Sequence, residues 1–185
     1  LYGMDHILFL VSLMMVMGLC RVEGTLGQRS VGETIRNAGV IATAFTLGHS
    51  ITLAMAAVGW IWLPSRFVES MIAVSIVYVA IENMLRPDPP RRYLLTFAFG
   101  LVHGMGFASM LRPLLPPEDV VVPLLVFNLG VEAGQVAVLA VAIPVLGILM
   151  RTLGVPRYRR YVLPASSMLL AVAGLVWFAE RAFAL

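Results

Sequence analysis

Residues 121–150 read VVPLLVFNLGVEAGQVAVLAVAIPVLGILM, a run of 30 positions in which Glu132 is the one charged side chain. A bilayer core about 30 Å thick is crossed by about 20 apolar residues in a helix, so this stretch is a membrane span with length to spare. Five more apolar segments lie to either side, at 4–20, 37–63, 67–85, 93–111 and 161–183. The whole chain is 60% hydrophobic and 12% charged, with a mean hydropathy of +0.92. Soluble domains carry roughly 25% charged residues, which excludes a water-soluble fold. The expected architecture is all-α: a polytopic, six-transmembrane-helix bundle forming a single membrane domain over residues 1–185. The chain begins at Leu1 and enters the first apolar run at once, with neither a basic n-region nor a small-residue cleavage site. That run is therefore read as a span, and the chain as the C-terminal part of a longer precursor.

The net charge of +3 and pI near 9.5 come entirely from arginine, which sits in short clusters between the apolar segments. The lipid bilayer, and not nucleic acid, is the partner such a pattern predicts. Taken in order, the five connections carry three arginines (Arg21, Arg29, Arg36), one (Arg66), three (Arg86, Arg91, Arg92), one (Arg112) and four (Arg151, Arg157, Arg159, Arg160). The positive-inside bias puts the odd connections in the cytoplasm and, with six spans, both termini on the extracytoplasmic side. The single cysteine, Cys20, forms no internal disulfide.

An ionisable side chain at the bilayer centre costs at least ~2.5–3.5 kcal/mol, so each one inside a span is a functional candidate. Several stand out: Asp5 and His6, His49, Glu69, Glu82, His103 and Glu132, accompanied by Ser50, Ser70, Asn83, Asn128 and Gln135. All three histidines fall in or at the rim of spans. At about 1.5 Å per residue, Asp5, His6 and Glu69 come near the outer face, whereas His49, His103 and Glu132 come near the midplane. Asn128, Glu132 and Gln135 recur at i, i+4 and i+7, one face of a helix. The expected metal-binding set is Asp5, His6, His49, His103 and Glu132, supported by Glu69, Ser50, Asn128 and Gln135. Imidazole with carboxylate suits a divalent transition-metal ion, Ni²⁺ or alternatively Zn²⁺, Cu²⁺ or Co²⁺, in preference to Mg²⁺ or Ca²⁺. The competing reading is that each polar group is glue between helices. The G-x-x-x-G pairs Gly100/Gly104 and Gly130/Gly134 flank His103 and Glu132, and predict that the fourth and fifth spans touch. Glu82 is read as an end-of-helix acid paired with Arg86.

The strings GMDHILFL, FTLGHSITL, VESMIAVSIVYVAIENM, FGLVHGMGFA and FNLGVEAGQ, in this order between residues 3 and 135, resemble the HupE/UreJ family of hydrogenase- and urease-accessory membrane proteins. The resemblance is to the branch with an N-terminal extracytoplasmic domain. It implies a multi-pass protein of the bacterial cytoplasmic (inner) membrane that takes up nickel, or another divalent transition metal, for metalloenzyme maturation. By position, Asp5 and His6 match the family's acidic-histidine pair, His49 and His103 its later histidines, and Glu132 the acid of its fifth span. Two rival readings stand beside it. One is a metal-dependent intramembrane hydrolase holding Zn²⁺ on histidine and aspartate beside Ser50 or Ser70. The other is a non-catalytic subunit whose partners lie in a larger membrane complex.

Overall fold

A computed structural model describes residues 3–22, 24–111 and 120–183. The described chain is helical apart from one hairpin: α1 (Met4–Met14), β1 (Leu19–Val22), β2 (Thr25–Gln28), α2 (Val31–Ala57), α3 (Ser65–Leu85), α4 (Arg92–Leu111), α5 (Val121–Leu153) and α6 (Val155–Phe183). Of these, α2, α3, α5 and α6 are long and apolar enough to cross a membrane. Their outward faces present large apolar side chains such as Leu129, Val141 and Leu169, a surface that matches lipid tails.

The first apolar segment is half a span. α1 rises only about 16 Å over its 11 residues, then turns through buried Val16, Met17 and Leu19. The last carbonyls of a helix lack partners within it, and here other helices supply them. Asn83 Nδ2 donates to the Ser12 carbonyl at 2.7 Å, and Tyr158 Oη donates to the Met15 carbonyl at 2.7 Å. β1 and β2 follow, paired antiparallel from Leu19↔Gln28 to Val22↔Thr25, with Gly24 at φ +80° in the turn. That conformation costs glycine nothing.

α2 begins six residues before the expected start at 37. Ser30 and Glu33 form a reciprocal capping box there, an S-x-x-E pattern already present in the sequence. It ends at Ala57 rather than 63, with Gly59 at φ +81° just beyond. The expected basic connection at 151–160 is also different. α5 runs on to Leu153, the chain breaks at Gly154 (φ +76°, ψ 150°), and Pro156 opens α6. Arg157, Arg159 and Arg160 therefore lie on a helix, the last two within a π-helical turn over Tyr158–Val162. The fourth connection with Arg112, at 112–119, lies outside the described residues.

Hydrophobicity does not drive helix association in lipid, so close contact relies on small residues. α2 packs most extensively on α4, and α3 on α6. A Cβ at Gly48 would strike the Phe97 carbonyl, one at Gly100 the Phe45 carbonyl, and one at Gly104 the His49 carbonyl. Gly174 of α6 meets the Ala73 carbonyl and Val77 of α3. The Gly100/Gly104 pair thus mates with α2 and not with α5, because Gly48 offers a matching gap. Among the described residues, nothing lies within 4 Å of a Cβ position at Gly130 or Gly134. The Asp5–Arg181 ion pair (3.1 Å) places the start of α1 beside the end of α6. At the opposite end, Arg29–Asp88 (3.5 Å) and Tyr158–Met15 gather the hairpin, the α3–α4 connection and the α5–α6 turn.

Candidate metal-binding site

The glycine contact between α2 and α4 also brings two histidines together. His49 follows Gly48, His103 precedes Gly104, and both are wholly buried. α1 delivers the third: the His6 ring centroid lies 4.6 Å from that of His103 and 5.8 Å from that of His49, each nearly perpendicular. The sequence reading set His6 above the other two. It stands level with them because α1 is a half-span whose first turn lies inside the bundle. Phenylalanines surround the rings, with Phe9 at 4.7 Å and Phe45 at 5.2 Å from His103, and Phe107 at 4.6 Å from His6. A cavity of about 180 Å³ opens beside His6 between α1 and α5, bordered by Val131, Gly134 and Gln135. A larger groove of about 590 Å³ between α2 and α5 is apolar apart from Arg151 and does not reach the histidines.

The hydrogen bonds fix which ring nitrogens are free. Asp5 Oδ1 lies 2.9 Å from His6 Nδ1 and also accepts from the His6 backbone N–H at 2.9 Å. An ionised carboxylate only accepts, so Nδ1 carries the proton and Nε2 is a bare lone pair. Ser75 Oγ donates to the Ile72 carbonyl at 2.6 Å and lies 3.0 Å from His103 Nε2. With its proton committed, the hydroxyl accepts from Nε2–H, leaving His103 Nδ1 bare. Both bare nitrogens are buried with no partner among the described residues; at His49 the Asn128 side chain is the polar neighbour, and neither ring nitrogen makes a well-formed hydrogen bond. Buried polar groups are normally satisfied, and such orphans call for an explanation. Among the described residues, no three His, Cys, Asp or Glu side chains are placed so that together they could hold a metal ion.

Other expected members take different places. Asp5 has both oxygens engaged, Oδ1 by His6 and Oδ2 by Arg181 Nη2 at 3.1 Å, so it orients the imidazole. Glu69 sits at the same end, 3.6 Å from Arg181 Nε. Glu132 is exposed and does not join the histidines. At about 100° per residue, the inward residues Leu124, Val131, Gln135 and Val138 share an arc of about 60°, and Glu132 falls about 60° outside it. Asn128 and Gln135 do face inward, but as interhelical links: Ser50 Oγ donates to Asn128 Oδ1 and Thr46 Oγ1 to Gln135 Oε1, each at 3.0 Å. Ser70 donates to the Arg66 carbonyl at 2.7 Å. Neither serine named for hydrolysis shows a bond to a histidine. Glu82 pairs with Arg92 at 3.8 Å and not with Arg86, because the backbone leaves helical geometry at Arg86 (φ −138°, ψ 81°).

Ser75 and Arg181 were not anticipated. Ser75 follows Val68 and Ile72 and precedes Val79 on the buried stripe of α3, a spacing that places it inside the bundle. Nothing local marks Arg181. With this geometry in hand, a family model described as HupE / UreJ protein matches residues 1–181 of the chain. No curated protein and no solved structure matches.

Proposed function

Because the chain belongs to the HupE/UreJ family, we propose that it binds a divalent transition-metal ion, nickel first, between His6, His49 and His103 and carries it across the cytoplasmic membrane for metalloenzyme maturation. The observation that carries this reading is the convergence of three imidazoles, in two of which, His6 and His103, the protein's own hydrogen bonds leave one buried nitrogen bare. Metal-ligating histidines are commonly held by a carboxylate or other acceptor on the second ring nitrogen. Asp5 and Ser75 supply that support, and the rings turn about their side-chain torsions to meet the ion. The ion is cargo, so the site must release it as well as hold it.

In this reading five full spans and the half-span α1 leave both ends of the chain outside, and Asp5, Glu69 and Arg181 form the outer mouth. The meeting of Asp5 with Arg181, and the concentration of arginine at the opposite end, support that orientation. Below the histidines, Phe9 lies 5.5 Å from Phe45 and 5.6 Å from Phe99, an apolar barrier that separates the site from the inner side. No ATP-binding motif occurs in the chain. The driving force is an ion gradient, the membrane potential or trapping inside.

The experiment is Ni²⁺ binding to purified protein and uptake into proteoliposomes. His6→Ala, His49→Ala and His103→Ala should each abolish both while the protein still folds. Cu²⁺ and Zn²⁺ should displace Ni²⁺, whereas roughly a hundredfold excess of Mg²⁺, a hard ion that dehydrates reluctantly, should not. Displacement by Mg²⁺ at comparable concentration would refute imidazole ligation.

A further inference from the structure

Arg181 ends α6 with its guanidinium turned onto the outer acids. Nη2 lies 3.1 Å from Asp5 Oδ2, Nε lies 3.6 Å from Glu69 Oε2, and Nη1 donates to the Glu69 carbonyl at 3.3 Å. The helix end that carries it is anchored: Arg66 Nε and Nη2 donate to the carbonyls of Arg181 and Ala182 at 3.5 and 3.3 Å. The guanidinium carbon lies 5.5 Å from the Trp177 ring, a second face on which this cation can rest. The space left among Asp5, His6, Glu69 and Arg181 is about 20 Å³, room for about one water molecule. One guanidinium therefore occupies the carboxylates that line this approach to His6.

We propose that Arg181 is a resident counter-cation that closes the outer mouth, offsets part of the charge of Asp5 and Glu69 between transport events, and gives way to a divalent ion. This role rests on the reading of the histidine cluster as a cation site. Arginine keeps its charge at any physiological pH, so it opens the mouth only by moving. Two carboxylates against one guanidinium leave a net negative charge. A divalent ion balances both acids and is attracted about twice as strongly as a monovalent one at equal distance. The mouth thus admits divalent ions and stays closed to Na⁺ and K⁺.

The test compares wild type, Arg181→Ala and Arg181→Lys, with Ni²⁺ as the probe. In Arg181→Ala, the half-saturating Ni²⁺ concentration should fall about tenfold, the size of one charged hydrogen bond lost by the competitor. Free guanidinium chloride should then raise it again, relative to choline chloride at equal ionic strength, and have no such effect on wild type. Arg181→Lys should stay close to wild type. A purely structural staple predicts the reverse: weaker or unchanged Ni²⁺ binding in Arg181→Ala, and no competition by guanidinium. Either result overturns the proposal. Should Arg181→Ala fail to fold, wild-type protein supplies the second measurement. Modification of Arg181 by phenylglyoxal, read by peptide mass mapping, should accelerate severalfold when Ni²⁺ is added, and protection or no change overturns the proposal. Absence of Ni²⁺ binding by wild type would instead refute the metal site itself.

Discussion

Replacing Ser75 with alanine tests the site through a residue that carries no charge and binds no ion directly. The hydroxyl is wholly buried, accepts from His103 Nε2–H at 3.0 Å and donates to the Ile72 carbonyl at 2.6 Å. Its removal leaves a buried imidazole N–H without a partner, a loss of about 1–3 kcal/mol, and removes the bond that keeps the proton on Nε2 and the lone pair on Nδ1. Groups that hydrogen-bond the far ring nitrogen of a metal-bound histidine are worth about 10–100-fold in affinity, or about 1.4–2.8 kcal/mol. The fold should tolerate the change, because alanine fits wherever serine does and the α3 helix keeps its backbone bonds. We expect titration calorimetry of Ni²⁺ with Ser75→Ala to show binding weakened roughly 10–100-fold. The control is Ser166→Ala, whose hydroxyl donates to the Val162 carbonyl of its own helix at 2.7 Å. Unchanged affinity in Ser75→Ala, or an equal loss in Ser166→Ala, would refute the role assigned to the hydroxyl.

Gly104→Ala should lower stability by about 1–3 kcal/mol, seen as a lower melting temperature in detergent, because its Cβ meets the His49 carbonyl rather than a movable side chain. Gly130→Ala, facing open space, should stay within about 0.5 kcal/mol of wild type. Glu132→Gln should leave Ni²⁺ affinity within about twofold of wild type, as expected of an exposed position; a large loss would return Glu132 to the ligand set. Protons and metal compete for the same imidazole lone pairs, so Ni²⁺ retained on equilibrium dialysis should decline as the solution is acidified, and Ni²⁺ that stays bound in strong acid would exclude histidine ligation. A cysteine placed at position 157 should react with membrane-impermeant reagent only from the cytoplasmic side, and labelling in intact cells would invert the topology.

Hydropathy is local and additive, which is why the apolar segments were legible residue by residue and why α3, α4 and α5 begin and end within about three residues of where the sequence placed them. The three histidines were legible for a related reason: a polar group inside an apolar run is costly wherever the run ends up. The length of α1 was not, because its end is set by Asn83 and Tyr158, which bond to carbonyls 71 and 143 residues away in sequence. Nor was the partner of the Gly100/Gly104 pair, since small residues permit close approach without specifying to which helix. Periodicity put Glu132 on the same broad face as Asn128 and Gln135, but only the azimuth of α5 against its neighbours decided that two of them turn inward and the third does not. Ser75 and Arg181 act through residues on other helices, His103 from α4 and Asp5 from α1. Such pairings depend on relative rotation, tilt and depth of helices, which arise from packing among all of them and leave no trace in any one segment.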